Sequence, residues 1–400
     1  MKLAARHRGI VFFCFADHVG FAGQRAAFLL LVTRLAERGW DCRKLPQPVL
    51  ERGDGRLLAV LTYAMGLATS WFRALALFGS RDAILCVNLG MTLAAFVRDA
   101  FPIFLGRMLL GRDQIVISLH GSLFMNWHDS GPEVRVFRLL LRQAGAITVL
   151  GERQRQRLVE LGIPAENIRI VVNSCDLAPI DADNLLAKHS PRAREPGVVT
   201  ILYLSSLIDT KGYPEYLEAL RSLSRSQGVQ IEAVLCGKLV PSEFADRQVG
   251  AEQSECLIKG KIAEINLGSR VKARWVNGAV GAEKAALFRN ADIFVLPTRY
   301  AVEAQPLVLL EAMASGCAIV TTRVGEITTI LNGTCALFLE EPSVGALATA
   351  LERLAEDAGQ RRRIAIQAHA RFGVRYSVGQ HLDVWEDILS QCQPESRSVA

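Results

Sequence analysis

Short, almost wholly apolar runs alternate along the chain with longer segments in which apolar residues recur every three or four positions. The runs at 10–15, 83–87, 114–119, 146–150 and 168–172 predict strands in the first half. Those at 199–204, 231–235, 271–276, 293–296, 318–322 and 336–339 predict strands in the second. Continuous rather than alternating hydrophobicity marks strands buried on both faces, as in parallel sheets with crossover helices. Segments such as 24–38, closed by Gly39, and the polar 152–161 predict those helices, and 342–390 is helical by pattern. Between the two sets, 181–197 is polar, mixed in charge and carries two prolines, and it reads as a linker. The pattern predicts an α/β chain of two halves of similar size with a cleft between them.

Two apolar stretches need a separate reading. Lys2, Arg6 and Arg8 precede the run 10–16, which superficially resembles a signal peptide. The run is short, meets Asp17 and His18 and lacks a cleavage site, so it reads as a first buried strand. The stretch 57–78 has spanning length but contains Arg73, Gly66, Thr62, Thr69 and Ser70, which fits a buried or interfacial helix better than a span. Trp71 and Phe72 beside Arg73 make an interfacial role an open expectation.

Composition changes the picture in two places. Half of the 400 residues are hydrophobic and 22% are charged, as expected of a globular chain with a large core. The net charge of +6 is uneven: residues 1–190 hold 23 Lys and Arg against 16 Asp and Glu, and the remainder 23 against 24. A basic first half suits either chance surface charge or an anionic partner such as a phosphate-bearing substrate or anionic lipid. The nine cysteines are scattered singly, without a C-x-x-C or Cys/His cluster. They read as reduced core thiols of a cytosolic protein rather than as a zinc or redox site.

Candidate chemistry concentrates at 291–325. A strand-like run ends at Pro297, a loop carries Glu303, Pro306 fits the first position of a helix bearing Glu311, and Gly316 closes that helix. Seven residues separate the two glutamates. Three roles are open to the pair: general acid–base work, metal binding without a further Asp or His close by, or acceptance of hydrogen bonds from sugar diols. The flanks of Glu311 are apolar nearly all round, so its carboxylate is buried and wants a partner. The amides at the start of this helix suit an anion such as a diphosphate. Lys211–Gly212 follows a strand and a loop, where a lysine is either a point charge for a diphosphate or an ordinary surface residue. His120–Gly121 ends another strand, where a histidine is either structural or faces a ligand. The Gly20-x-x-Gly23 loop either admits a ligand to the backbone or turns the chain. It is not a dinucleotide fingerprint, and the loop at Lys211–Gly212 is not a P-loop.

Taken together, ADIFVLPTRYAVEAQPLVLLEAMASGCAIVTT resembles the donor-site segment of the retaining family 4 glycosyltransferases, whose signature of two glutamates seven residues apart falls on Glu303 and Glu311. LYLSSLIDTKGYPEYLEAL resembles the first strand, phosphate-binding lysine loop and helix of the family's C-terminal domain. ITVLGERQRQRLVELGI and IRIVVNSCD resemble the end of its N-terminal domain, and ISLHG its acceptor-side His–Gly. The resemblance implies the GT-B fold, two Rossmann-like domains facing across a cleft. It places an acceptor-binding domain at 1–185, a nucleotide-sugar-binding domain at 196–375 and a C-terminal helix at 376–390 packing back toward the first.

It also implies roles. His120, Lys211 and Glu303 would serve the reaction centre, with Glu303 on the donor sugar's hydroxyls and Lys211 on the diphosphate. Glu311 would grip the ribose. Backbone around Gln305 and Leu307 would hold sugar and phosphate. Gly20 and Gly23 would border donor phosphate or acceptor. Where many members have Gly-Arg this chain has Ser205–Ser206, so a phosphate-binding cation is missing and Ser206 offers only a hydroxyl. The residue after the first glutamate, often Gly or Ser, is Ala304.

The function so implied is a retaining transfer of a sugar, a hexosyltransferase type of activity, from a UDP- or GDP-sugar to a glycan or lipid-linked glycan in cell-surface polysaccharide biosynthesis. No metal or other cofactor and no nucleic acid is expected, and the protein is expected in the cytoplasm, with peripheral attachment to the inner face of a membrane. The alternatives are a catalytically weakened nucleotide-sugar-binding subunit and a transferase with a soluble small-molecule acceptor. A Rossmann oxidoreductase lacks its fingerprint here.

Overall fold

The computed structural model describes residues 8–16, 22–49, 56–75, 79, 82–189, 197–240, 245–246 and 250–394. Two compact units emerge: residues 1–174 with 378–400, and residues 175–377. Each is built on a six-stranded, wholly parallel sheet.

In the first unit the strands are β1 (Ile10–Ala16), β2 (Asp41–Gln47), β3 (Ile84–Asn88), β4 (Ile115–Ser118), β5 (Ala146–Val149) and β6 (Ile168–Ile170), in spatial order β2-β1-β3-β4-β5-β6. Alternate residues of each strand feed two cores, one per face. Phe12, Cys14, Leu85 and Val87 join one face, and Val11, Phe13, Ile84 and Cys86 the other. The helix Val378–Gln391 completes the second core with Leu382, Trp385, Ile388 and Leu389. Burying each such side chain contributes about 1.5–3 kcal/mol. Arg38 holds the helix from outside through Asp383 at 2.6 Å and Glu386 at 2.8 Å.

In the second unit they are β7 (Val198–Leu204), β8 (Gln230–Cys236), β9 (Val271–Val276), β10 (Ile293–Leu296), β11 (Ala318–Thr322) and β12 (Leu337–Leu339), in order β12-β11-β10-β7-β8-β9. The order reverses between β7 and β10, which are adjacent in space and distant in sequence. At such a switch point the following loops diverge to opposite sides of the sheet and leave a crevice beyond the strand ends.

Every run expected to be a strand forms one. β2 was not expected, because DCRKLPQ shows no apolar pattern. It is an edge strand paired only to β1, with Leu45 and Gln47 buried, and an edge tolerates its charges and Pro46. The expected linker is also corrected in part. Asp181 caps a helix, Ala182–Lys188, by accepting from the Asn184 amide at 2.8 Å, and residues 190–196 lie outside the described ones. Leu185 of that helix is buried against Gly316, where a Cβ would stand 2.3 Å from its methyl carbon. Among the described residues no helix is long and apolar enough to cross a membrane. All nine cysteines are free thiols.

Candidate active site

The loop after β7 is shaped by its backbone. A single 3-10 turn, Asp209–Lys211, ends at Gly212, whose φ of 85° lies in the left-handed region that glycine tolerates. A side chain there would also collide with the Pro297 carbonyl oxygen at 2.4 Å, so glycine lets this loop lie directly against the end of β10. Tyr203, fully buried, donates its hydroxyl proton to the Lys211 carbonyl at 3.1 Å and fixes the turn from below. The result aims Lys211 across the switch point. Its Nζ lies 3.3 Å from Glu303 Oε2 and 5.0 Å from the centre of the Tyr300 ring.

The loop after β10 brings Glu303 to meet it. Thr298, fully buried, accepts from the Tyr300 amide at 3.1 Å, and its hydroxyl lies 3.5 Å from Glu303 Oε2. The Glu303 amide returns to the Tyr300 carbonyl at 3.0 Å. Behind the loop, the Cα of Gly325 approaches so closely that a Cβ would stand 2.1 Å from the Glu303 carbonyl oxygen. Gln305 is buried, and the helix Leu307–Ala314 follows. Pro306 stands one position earlier than expected: with ψ of 118° it caps the helix rather than opening it. Its own lack of an amide proton therefore spares the helix nothing. The amides of Leu307 and Val308 have no acceptor a turn earlier within the helix and point along its positive end.

Glu311 lies one helical turn further on and faces a second lysine. Lys284, on the helix Gly281–Asn290, places its Nζ 2.5 Å from Glu311 Oε1. The other oxygen, Oε2, is buried without a hydrogen-bond partner among the described residues. Burial pushes the Glu311 pKa up, and Lys284 pulls against it. Burial also lifts the nearby Cys175 thiol to about 12, with the Glu311 charge adding to it. Each glutamate thus faces its own lysine. No group of three His, Cys, Asp or Glu residues fit to hold a metal occurs among the described residues.

Lys284 was not singled out by sequence reasoning. The available signal was a lysine set among Ala285, Ala286, Leu287 and Phe288 at the start of a helix, a weak one, since only the fold reveals that it faces Glu311. Arg299 was missed too. It links the loops after β7 and β10 through its amide to the Thr210 carbonyl at 2.8 Å and its guanidinium to Glu215 at 2.8 Å.

Ser205 and Ser206 divide. Ser205 is buried, with its amide bonded to the Cys236 carbonyl at 3.1 Å and its own carbonyl pressed by Gly237. Ser206 is exposed at the end of β7.

His120 stands just past β4 in the first unit, its ring edge-on to Phe28 at 5.0 Å between centroids. Burial, helped by nearby His381, lowers its pKa to about 3, so the ring is neutral at physiological pH. Its Nε2 is buried without a hydrogen-bond partner among the described residues. Gly23 lies in the first turn of the helix Ala22–Glu37 with open space around its Cα. Gly20 lies outside the described residues.

Two α/β units, each built on a wholly parallel six-stranded sheet, give the chain the GT-B architecture found in glycosyltransferases. Residues 187–371 match the family described as glycosyl transferases group 1. It is 24% identical over 292 residues to an alpha-D-kanosaminyltransferase of Streptomyces kanamyceticus, covering 70% of each chain. It is 30% identical over 200 residues to a D-inositol 3-phosphate glycosyltransferase of Corynebacterium urealyticum, covering 49% of this chain and 42% of that one. Among solved structures it is similar to Anabaena Alr3699/HepE in complex with UDP, with a TM-score of 0.68 at 18% identity, covering 96% of this chain and 99% of that one.

Proposed function

We propose that the protein transfers a hexose-type sugar from a nucleotide-sugar donor to a glycan or lipid-linked glycan, with retention of anomeric configuration, in the building of a cell-surface polysaccharide. The observation that carries this reading is the Lys211–Glu303 pair, 3.3 Å apart at the crevice where β7 and β10 diverge. A glycosyl donor leaves through an oxocarbenium-like transition state while negative charge grows on its diphosphate. Lys211 supplies a cation held in place by its own carbonyl and by Tyr300, and the amides of Leu307 and Val308 add fixed dipoles. Glu303, already orienting Lys211, accepts hydrogen bonds from the sugar hydroxyls. Glu311 accepts from the ribose diol through Oε2, the oxygen without a hydrogen-bond partner among the described residues.

His120 fits the acceptor side as a neutral imidazole with an open edge, suited to a hydroxyl of the transferred sugar rather than to a phosphate. With Ser206 offering only a hydroxyl, charge neutralisation rests on Lys211, and neither glutamate acts as acid or base. A UDP donor is supported by the UDP complex of the structural neighbour, and a lipid-linked acceptor would be met at the inner face of a membrane. A thermal-shift panel of UDP- and GDP-sugars tests the donor, because a bound donor stabilises the fold by mass action. A UDP-sugar should raise the melting temperature and be consumed when glycan acceptors are added. Stabilisation by no nucleotide sugar would overturn the reading, and stabilisation without transfer would favour a binding subunit.

A further inference from the structure

The helices Arg56–Ala74 and Leu93–Leu109 lie side by side over one face of the first unit's sheet. Tyr63 donates its hydroxyl proton to the Ala94 carbonyl at 2.6 Å, and the Trp71 ring stacks on Phe101 at 4.8 Å between centroids. Phe96, Ile103 and Leu105 of the second helix face the core beneath. Trp71 is therefore turned toward its neighbour helix. Phe72 alone points outward, 75% exposed.

It does not stand by itself. Met65 on the first helix is 72% exposed, and Leu93 and Met108 on the second are 74% and 72% exposed. Leu61, Met65 and Phe72 follow at intervals of four and seven, and Leu93, Val97, Phe104 and Met108 at intervals of four, seven and four. Both sets form one stripe on the outer side of their helix. An isolated exposed leucine needs no explanation, but two neighbouring stripes of this length do.

The charges on this surface decide its occupant. Each helix exposes an arginine in its last turn, Arg73 and Arg107. The first helix contains no acidic residue. The second contains only Asp99, fully buried and bonded to Arg98 at 2.6 Å and to the Gly90 amide at 2.9 Å. A two-fold pairing of copies would lay this surface on itself and bring its arginines together, with no carboxylate exposed on either helix to balance them. A bilayer with anionic headgroups has the complementary layering, phosphates for the arginines and acyl chains for the stripes. We propose that the paired helices Arg56–Ala74 and Leu93–Leu109 lie flat on an anionic lipid bilayer and seat their outer stripes among its headgroups. This deepens the lipid side of the proposed function and does not depend on the transfer chemistry.

Co-sedimentation of the full chain with phosphatidylcholine vesicles, with and without phosphatidylglycerol, tests it. The protein should sediment with the anionic vesicles at least about tenfold more tightly than with neutral ones. Phe72→Ser with Met108→Ser should weaken that partition about tenfold or more. Arg73→Gln and Arg107→Gln should each lower it about fivefold. Because all four positions are exposed, the melting temperature and its shift with UDP should stay unchanged, which separates loss of docking from loss of fold or donor site. Wild-type protein remaining in the supernatant with anionic vesicles, or serine variants sedimenting like wild type, would overturn the proposal. So would a dimer seen by light scattering that the serine pair dissolves, which would assign the surface to a second copy.

Discussion

Lys211 and Lys284 each face a glutamate, yet the two pairs are set up for different work. Lys211 is only partly covered and is aimed across a crevice, so its charge is available to a ligand. Replacing it with alanine should cut turnover about a hundredfold or more, the usual cost of losing a charge aimed at a developing anion, while the melting temperature changes little. Single-turnover sugar transfer at saturating donor checks this, and wild-type turnover would remove Lys211 from the mechanism. Glu311 is the opposite case, a carboxylate whose burial outweighs its lysine and raises its pKa. A group with a raised folded pKa adds stability below its unfolded pKa and loses it as pH rises through the folded one. At neutral pH, Glu311→Gln should therefore be at least as stable as the wild type in a denaturant titration, yet bind UDP more weakly in calorimetry. A less stable variant with unchanged affinity would make the residue structural.

The helix that carries Glu311 is held from its far end by the segment expected to be a linker. Lys188 Nζ donates to the Ser315 carbonyl at 2.7 Å, His189 meets the Gly316 carbonyl at 2.8 Å, and the Ile180 amide bonds to the Ala314 carbonyl at 2.9 Å. Leu185 fills the space over Gly316. Leu185→Ala should cost about 2–3 kcal/mol of stability and loosen this clamp, so UDP affinity should fall severalfold although the residue lies on the opposite end of the helix from the ligand. Chemical denaturation and UDP titration of the same variant check both effects. This element also marks where legibility ended. Buried parallel strands such as β4 and β10 are written as apolar runs and were readable, as was the placing of Lys211 and Glu303 in loops after strands and of Glu311 on an apolar helix. DADNLLAK has only one buried side chain and β2 has two buried positions, so neither carries enough hydrophobic pattern to be read. Lys284 and Arg299 were unreadable for another reason: their partners lie far along the chain, and only the order of strands brings them together.

For the first unit as a whole, two neutral histidines link folding to acidity. His120 is lowered to about 3 and His381 to about 4, both chiefly by burial. His381 Nδ1 donates to the Val172 carbonyl, 2.7 Å away, and the ring sits edge-on to Trp385 in the core that joins the last helix to the sheet. Unfolded, each would titrate near the ordinary 6.5. Below that value the unfolded chain binds protons that the folded one refuses, so stability present above 6.5 is lost as pH falls toward the folded values. At about pH 5.5 the loss is on the order of 1 kcal/mol for each histidine. Glu311 works in the opposite direction but belongs to the second unit, so unfolding followed by the fluorescence of Trp385, in a variant lacking the other tryptophans, isolates the first. Between about pH 8 and 5.5 the midpoint should drop, and His381→Phe should remove roughly half of that dependence. A flat profile would mean that His120 and His381 are protonated within the fold, and His120 would then meet its ligand as a cation rather than as a neutral hydrogen-bonding ring.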